Sequence, residues 1–554
     1  MALVTGGELL VRTLRRAGVE TLFGLHGAHI DSIFQSCVDH GLPIVDTRHE
    51  VAAGHAAEGY ARANDRLGVA LVTAGPGFTN VVTSLANAYL DRTPVLYISG
   101  AAGLAQADTN TLQAGIDQVA VARPITKWAH QITVTADIPR LIAQAVRMAT
   151  SGPAGPVLID IPSDILGARI EEESVAIPDI VPAIPAAPDR DAIEQALERM
   201  RAAERPVIML GSGLRPRAAD AIRILAETIG APVFSDFAAH GLLPSDHPLY
   251  GGTFHKMSDL DAGGGRPDIL LALGVRFGLF TLGTSDLVVP HAAEIIHVDV
   301  DPRELGRVRA TALGIVADAS AAAAAFADAA ADKAWPDRSA WQQTVTDAKA
   351  ARAETRQADL AREEAPIHPM QAVEAIVGAI TPETLVVGDG AEAYHWLNEV
   401  IAQVRPASYL THGFLGAVGF GMGLAIGAQA GDRARPVLCL VGDGAVGFTI
   451  AEFDTMVRNN LPIVVLVMNN RSWAASQHFQ ELAVGPNRVT GTRLGDARYH
   501  DVAAGFGCRG ILVRDIAALA PAIREALAAR QPTCINVEID LTPIPPELHL
   551  LMKR

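Results

Sequence analysis

Short apolar segments bounded by glycine and proline recur along the chain and alternate with stretches of helical character. Their hydrophobicity is continuous, without the alternation of a strand that has one face in water. This is typical of parallel strands buried under helices on both faces of a sheet. Clear examples are GVALVTAGPG (68–77), PVLYIS (94–99), PVLCLVGDG (436–444) and PIVVLVMNN (462–470).

The first and last parts of the chain repeat the same order of signals. In the first part a strand runs into a glycine turn at Gly75, and the next strand begins at Pro94. In the last part the turn is at Gly442, and the next strand begins at Pro462. We therefore predict an α/β fold with two similar parallel-sheet domains that flank a third α/β domain.

Two polar stretches that contain proline, residues 171–189 and 335–365, are predicted to be linkers. They divide the chain into domains at 1–170, 190–334 and 366–554. The middle domain has apolar strands of its own, and its LGSGL turn (210–214) lacks the GxGxxG pattern of dinucleotide-binding proteins. A structural role is the favoured interpretation of this turn.

Composition and charge exclude several classes of protein. The 554 residues carry a net charge of −16 and contain no block of Lys and Arg, so nucleic acids and anionic membranes are poor candidate partners. The apolar runs are too short to span a bilayer. The N-terminus lacks the basic, apolar and small-residue order of a signal peptide, which makes a cytoplasmic location the expectation.

A carboxylate at Glu50 lies between an apolar strand and an alanine-rich helix. Thr47-Arg-His-Glu50 matches the capping box, and capping is the simplest interpretation of this segment alone. Ligands of parallel sheets, however, bind at the carboxyl ends of strands. Glu50 is therefore also a candidate for binding or catalysis.

The GDG turn at 442–444 places Asp443 among glycines at the end of a predicted strand. Glycines let backbone N–H groups approach a phosphate, but a carboxylate there would repel it unless a cation lies between them. Mg²⁺ with oxygen ligands satisfies both requirements. Asn470 and the main-chain carbonyl of Ser472, at the end of another strand, could complete the ligand set.

GDG followed, 24 residues later, by Asn469-Asn470 resembles the fingerprint of thiamine-diphosphate enzymes. The resemblance implies that Asp443, Asn470 and the Ser472 carbonyl hold Mg²⁺. It implies that Glu50 binds N1′ of the aminopyrimidine, that the Gly416 carbonyl meets the 4′-amine, and that Val418 supports the bent cofactor. The other cofactor-binding residues it implies are Thr73, Gly390, Ala391, Gly442, Gly444, Ala445, Trp473 and Ala475.

The same resemblance predicts an oligomer. In these enzymes the cofactor lies between the first domain of one subunit and the third domain of another. We therefore expect a homodimer as the minimum active unit and a homotetramer as the complete assembly.

Segments that are not general cofactor motifs, such as TLQAGIDQ (111–118) and VGPNRVTGTRL (484–494), resemble benzaldehyde lyases. This resemblance covers nearly the whole chain and implies cleavage and formation of 2-hydroxy ketones such as benzoin, with aldehydes as partners. His29 and Gln113 would then act with Glu50 in catalysis. The implied substrate pocket comprises Ala28, His29, Leu112, Gln113, Ser163, Tyr394, Ala475 and Phe479, and is mostly apolar.

Two alternatives remain for His29. It could be a hydrogen-bonded structural histidine after FGLHG, or it could pair with His26 at a metal, although no third ligand is apparent.

The chain departs from the benzaldehyde lyases at Ser163, where they carry a tryptophan, and in the loop RFGLFTLGTSD (276–286). These departures put the preferred substrate in doubt, and two other enzymes with the same cofactor remain as alternatives. One is a 2-hydroxyacyl-CoA lyase that releases formyl-CoA. The other is an acetolactate-synthase-like enzyme, which would hold FAD in its middle domain. A non-catalytic homologue is disfavoured because Glu50, Asp443 and Asn470 are all present.

Overall fold

Three six-stranded sheets, each with all of its strands parallel, form the framework of the protein. The computed structural model describes residues 2–106, 108–261, 265–279, 281–363, 365–403 and 405–552. Within these ranges no helix is both long enough and apolar enough to cross a membrane.

The first sheet has the strand order β3-β2-β4-β5-β7-β6, and the short strands β1 and β8 pair antiparallel beside it. The strands are β1 (Leu3–Thr5), β2 (Leu22–Gly24), β3 (Ile44–Asp46), β4 (Gly68–Val72), β5 (Val95–Ala101), β6 (Trp128–Gln131), β7 (Val157–Pro162) and β8 (Arg169–Glu171). The helices are α1 (Gly6–Arg16), α2 (Asp31–Asp39), α3 (Glu50–Asn64), α4 (Pro76–Leu90), α5 (Gln118–Ala122), α6 (Ile138–Thr150) and α7 (Ser163–Gly167).

The middle sheet has the order β11-β10-β9-β12-β13-β14, which runs outward in both directions from β9 as in doubly wound nucleotide-binding folds. Its strands are β9 (Pro206–Leu210), β10 (Val233–Ser235), β11 (Tyr250–Thr253), β12 (Ile269–Leu273), β13 (Glu294–Asp299) and β14 (Leu313–Val316). Its helices are α8 (Arg190–Ala202), α9 (Ala219–Ile229) and α10 (Ala319–Ala330). In the LGSGL turn, a methyl group on Gly211 would lie 2.3 Å from the Gly274 carbonyl oxygen, so this glycine allows two strand ends to approach.

The third sheet has the order β16-β15-β17-β18-β20-β19. Its strands are β15 (Leu385–Asp389), β16 (Tyr409–Thr411), β17 (Val437–Gly442), β18 (Val464–Asn469), β19 (Arg509–Val513) and β20 (Thr533–Glu538). The helices that follow α10 in the chain are α11 (Ser339–Thr355), α12 (Gln357–Leu360), α13 (Pro369–Val377), α14 (Ala391–Val400), α15 (Gly421–Gly431), α16 (Asp443–Phe448), α17 (Glu452–Arg458), α18 (Ala474–Val484), α19 (Tyr499–Gly505), α20 (Ile516–Ala529) and α21 (Pro546–Met552).

The first and third sheets share one topology. When β2–β7 and β15–β20 are each renumbered from their first strand, both sheets give the same strand order. Every residue of β4 and of β15 is buried, because helices cover both faces of each sheet. The prediction of two similar parallel-sheet domains around a third is confirmed.

Two local predictions differ from the structure. The segment predicted as the second linker contains α11, whose Trp341 and Val345 are buried in the core of the middle domain. These two apolar residues lie on one helix face at i, i+4 spacing, and the polar composition around them concealed the face. The capping box is also wrong: α3 is capped by His49, whose Nδ1 accepts from the Val51 N–H at 3.1 Å, while Thr47 donates to the His49 carbonyl.

Helices α3 and α15 join the first domain to the third through unusually close backbone contact. A methyl group on Gly427 would lie 1.8 Å from the Ala56 carbonyl oxygen, and one on Gly59 would lie 2.2 Å from the Leu424 carbonyl oxygen. Only glycine leaves room for a neighbouring backbone at these distances. The contact therefore depends on these two glycines.

We predict that Gly427→Ala destabilises the protein, because its methyl group would overlap a backbone carbonyl that cannot move aside. The expected loss in the free energy of unfolding is about 3 kcal/mol, measured by urea denaturation. Gly431→Ala on the same helix is the control, since the atoms nearest its methyl group would belong to the side chain of Asn64, which can move more easily than a backbone carbonyl. Equal stability of the two variants would contradict the proposed importance of the close contact.

Candidate active site

One cluster of predicted site residues gathers at the carboxyl edge of the first sheet. Glu50, the first residue of α3, is 8% exposed, and its Oε2 accepts a hydrogen bond from Asn80 Nδ2 at 2.9 Å. A methyl group on Gly77 would lie 2.8 Å from Thr73 Cγ2 and 3.5 Å from Glu50 Oε1. Thr73 Oγ1 also lies 3.3 Å from His29 Nδ1. Glu50, Thr73 and His29 are therefore neighbours.

Gln113 belongs to the same cluster. It lies against the Gly75 turn, where a methyl group would come within 2.9 Å of its Cβ, and its own φ is +60°. Such a left-handed backbone is uncommon for glutamine and often marks a functional position.

Gln118 holds the strand ends beneath this cluster. Its Oε1 accepts from the Gly75 N–H at 2.8 Å, and its Nε2 donates to Asp160 Oδ1 at 2.5 Å and to the Gly100 carbonyl at 2.9 Å. Burial raises the pKa of Asp160 to about 6, while the amide donors oppose the rise. Because Gly100 lies against His29, this buried amide ties the Gly75 turn to the backbone beneath that histidine.

A second cluster lines a cavity of about 640 Å³ in the third domain. Most of the cofactor-binding residues predicted for this domain line it: Gly390, Ala391, Val418, Gly442, Asp443, Gly444, Ala445, Asn470, Ser472, Trp473 and Ala475. They come from the ends of β15, β17 and β18 and from the segment before α15. Their meeting explains the spacing of GDG and Asn-Asn, because β17 and β18 are neighbouring strands.

Two of the three groups predicted to bind metal lie close together within this cavity. Asp443 Oδ2 and Asn470 Oδ1 each accept from the Ser472 N–H at 3.2 Å. Burial raises the pKa of Asp443 to about 6, and backbone N–H donors oppose the rise. A carboxylate, an amide oxygen and a main-chain carbonyl suit Mg²⁺, so the residues fit this ion. No cluster of three or more His, Cys, Asp and Glu side chains in the described ranges is arranged to bind a metal.

The turn that would hold the diphosphate is open. A methyl group on Gly442 would meet nothing closer than Gly390 Cα at 4.0 Å. Gly390 has a φ of +87° and directly precedes α14, while Gly444 lies against the Trp473 ring. The cavity thus fits a phosphate group between two glycine turns.

Several predicted residues lie elsewhere. Gly416 and Phe479 do not line the cavity, and Phe479 is 45% exposed. Tyr394 is fully buried against Phe237 and His412, away from the cavity lining. The roles assigned to these residues stay predictions.

The first-domain pocket residues lie at the surface of the single chain. Ala28 is exposed, Leu112 is 69% exposed, and Ser163 begins α7 in a half-buried position. No described residue of the first domain lines the third-domain cavity. Of the divergent loop 276–286, residue 280 lies outside the described residues.

The sequence interpretation missed two polar residues at this site. Glu392 lines the cavity, and its Oε1 lies 2.6 Å from His478 Nδ1, which adds a polar pair to a mostly apolar wall. Asn80, which holds Glu50, was also missed. An acidic residue in the first turn of a helix has an ordinary explanation in the helix dipole, which gave no reason to single out Glu392. Asn80 lies within α4, and its position in that helix gives no indication that its side chain contacts Glu50.

Comparison with protein families identifies three successive regions. The N-terminal thiamine pyrophosphate-binding domain of thiamine pyrophosphate enzymes matches residues 4–121. The central domain of these enzymes matches residues 193–326, and their C-terminal thiamine pyrophosphate-binding domain matches residues 389–537.

Curated relatives cover nearly the whole chain. An acetolactate synthase large subunit of Mycobacterium tuberculosis is 31% identical over 538 residues, 96% of this chain and 95% of the relative. An acetolactate synthase large subunit of Escherichia coli is 31% identical over 551 residues, 97% and 94% of the two chains. Human 2-hydroxyacyl-CoA lyase 2 is 30% identical over 550 residues, 92% and 85% of the two chains.

None of these three relatives is a benzaldehyde lyase, so the narrower resemblance stays a prediction. The family itself follows from the domain matches and the full-length similarity, and it agrees with the two glycine turns and the oxygen cluster of the cavity. The chain belongs to the thiamine pyrophosphate-dependent enzymes.

Proposed function

We propose that this enzyme is a magnesium-dependent carbon–carbon lyase and carboligase that cleaves and forms 2-hydroxy ketones from aldehydes, in benzoin-type reactions. The observation that supports it is that both clusters lack a basic side chain within the part of the chain that the structure describes. There, no lysine or arginine lines the cavity or contacts His29, Gln113 or Glu50. A substrate or product with a carboxylate, such as acetolactate, would lack a charged partner there.

The complete site requires two subunits in this proposal. The first-domain cluster of one subunit would face the third-domain cavity of another, in a homodimer or in a homotetramer built from such dimers. Apolar side chains that are exposed in the single chain support this arrangement: Leu112 and Ile116 on the first domain, and Phe448 and Phe479 on the third. Burial of such side chains is the main driving force of association.

Thiamine diphosphate, when bound, supplies a nucleophilic carbon that adds to a carbonyl group and accepts the electrons released when the neighbouring carbon–carbon bond breaks. Glu50 would hold a proton at N1′ of the pyrimidine, and Asn80 would fix the orientation of its carboxyl group. His29 would take the proton of the substrate hydroxyl, since Thr73 occupies Nδ1 and leaves Nε2 for the substrate. Gln113 would donate to the carbonyl oxygen of the departing aldehyde.

A second candidate is a 2-hydroxyacyl-CoA lyase. The crevice between the first domain and the carboxyl edge of the middle sheet is lined by several arginines, including Arg66, Arg215 and Arg217. Among the described residues the guanidinium of Arg215 has no hydrogen-bond or ion-pair partner, and burial lowers its pKa. An unpaired guanidinium at the ligand-binding edge of a doubly wound sheet would suit the phosphates of coenzyme A.

Glu50→Gln should lower the rate of carbon–carbon cleavage by at least about 100-fold, because the amide cannot exchange a proton with N1′. Steady-state kinetics measure the rate of cleavage, and calorimetric titration measures binding of the cofactor. We expect Glu50→Gln to bind the cofactor still. Glu20→Gln, which neutralises an exposed carboxylate of the same domain, is the control. Full activity of Glu50→Gln would refute the assigned role.

Asp443→Ala should abolish magnesium-dependent cofactor binding. We expect the affinity to fall by more than about 100-fold, which exceeds the usual effect of losing an outer-shell partner of a metal. Titration of the cofactor with and without Mg²⁺ measures this loss, and exposed Asp501→Asn in the same domain should bind normally. Unchanged binding by Asp443→Ala would place the metal elsewhere.

Parallel assays of the holoenzyme with benzoin and with a 2-hydroxyacyl-CoA distinguish the two candidate functions. We expect cleavage of benzoin to benzaldehyde, no release of formyl-CoA from a 2-hydroxyacyl-CoA, and no effect of Arg215→Ala on benzoin cleavage. Formyl-CoA release without benzoin cleavage would overturn the proposal. A higher KM for the acyl-CoA in Arg215→Ala would then identify the crevice as its binding site.

A further inference from the structure

Glu392 places a second carboxyl group on the wall of the third-domain cavity, in addition to Asp443. It lies in the first turn of α14 and is only 8% exposed. Its Oε1 is 2.6 Å from Nδ1 of His478, a buried residue of α18. In the described ranges its Oε2 has no hydrogen-bond partner, so this oxygen is left for whatever fills the cavity.

The contacts of His478 fix the number of protons in this pair. Its Nε2 lies 3.0 Å from the Leu541 carbonyl oxygen, which only accepts, so Nε2 carries a proton. Nδ1 and Glu392 Oε1 could not lie 2.6 Å apart as two acceptors, so one further proton lies between them. The pair therefore has no net charge, whichever of the two atoms holds that proton.

The surroundings favour retention of the shared proton. Burial raises the pKa of Glu392, although His478 opposes this. Burial lowers the pKa of His478, but the hydrogen bond and charge of Glu392 outweigh it and leave that pKa raised. The other charged or titratable groups around the pair are His395 on the same helix, Glu481 on α18, Asp443 in the cavity and Glu547, which binds His395 from α21.

Loss of the shared proton would leave a buried negative charge in the cavity that fits the diphosphate. Two like charges repel strongly in a site with little water, and a diphosphate brings several negative charges. A neutral pair avoids this repulsion while its hydrogen bonds join α14, α18 and the segment after β20. The charge of the pair therefore bears directly on binding of the cofactor.

We propose that Glu392 and His478 form a further recognition element of the cofactor site, a proton-carrying pair that must hold its shared proton for the magnesium–diphosphate group to bind. The pair positions the cavity wall and matches its charge to the ligand. The inference rests on the family's cofactor and on the proposed magnesium site. It does not depend on which substrate the enzyme uses.

The test is the pH dependence of thiamine diphosphate binding at saturating Mg²⁺, followed by the fluorescence of Trp396 and Trp473, which line the cavity. We expect the dissociation constant of the wild type to rise at least 10-fold between about pH 7 and about pH 10, as the pair loses its proton. Glu392→Gln should bind normally at neutral pH and lose this alkaline weakening, because its amide can donate to Nδ1 but does not ionise.

A rescue experiment separates charge from structure. His478→Gln leaves the Glu392 carboxylate without its shared proton and should weaken binding at neutral pH by at least about 10-fold. Adding Glu392→Gln should restore the affinity to nearly that of Glu392→Gln alone. Urea unfolding of the cofactor-free variants checks their folding, and Glu392→Gln alone still tests the proposal if His478→Gln does not fold.

Either of two results would overturn the inference: a wild-type pH profile in Glu392→Gln, or a double variant that binds as weakly as His478→Gln. Failure of the magnesium proposal is distinguishable, because it would appear as normal binding by Asp443→Ala, whatever the behaviour of the pair.

Discussion

The close packing of α3 against α15 is the contact on which both halves of the site depend. Helix α3 begins at Glu50, and α15 begins three residues after Val418. A backbone approach that only Gly59 and Gly427 permit fixes one helix against the other. This contact therefore holds Glu50 and the segment that would bend the cofactor in a fixed relation. In the proposed oligomer the two would belong to different active sites.

Buried polar and charged side chains also connect α3 to the segment that carries Gly416 and Val418. Glu58 on α3 is fully buried and accepts from Asn87 Nδ2 at 2.9 and 3.0 Å. Asn87 also bonds Asp91, which accepts from the Phe414 N–H at 3.0 Å. Burial and the charge of Glu58 raise the pKa of Asp91 to about 6, with Arg62 opposing. A chain of polar contacts therefore links α3 to the loop before α15, and each member is costly to leave unpaired.

The sequence was sufficient to predict those features that depend on neighbouring residues or on the regular spacing of apolar residues. Continuous apolar runs between glycine and proline predicted the three parallel sheets. The prediction that Asp443 and Asn470 follow two strand ends agrees with the structure, where both residues line one cavity. Local patterns failed where a distant contact decides the outcome. The sequence pattern predicted that Thr47 caps α3, but His49 is the capping residue. Helix α11, which lies in a segment predicted to be a linker, packs on the middle domain through Trp341. The spacing of apolar and polar residues along the chain contains no information about such contacts between distant residues.

Glu392 illustrates a further limit. It stands at the start of a helix, where an acidic residue needs no special explanation, and its partner His478 is 86 residues away. The pairing exists only because α14 and α18 lie side by side in the folded domain. A glycine turn in the sequence points to Asp443 as a proposed metal ligand, but the sequence has no comparable signal for a carboxyl group that pairs with a histidine of another helix.

The two carboxyl groups of the cavity are balanced in different ways, and this difference indicates what the cavity can accept. Two unit charges 4 Å apart repel by about 4 kcal/mol at an effective dielectric constant of about 20, so ionised acids facing a diphosphate would oppose binding. His478 balances Glu392 from within the protein. Asp443 has only backbone N–H donors among its described hydrogen bonds. In the proposed site its charge would be balanced by the Mg²⁺ that arrives with the phosphate, and the cavity would then bind a metal-bound diphosphate in preference to a bare anion.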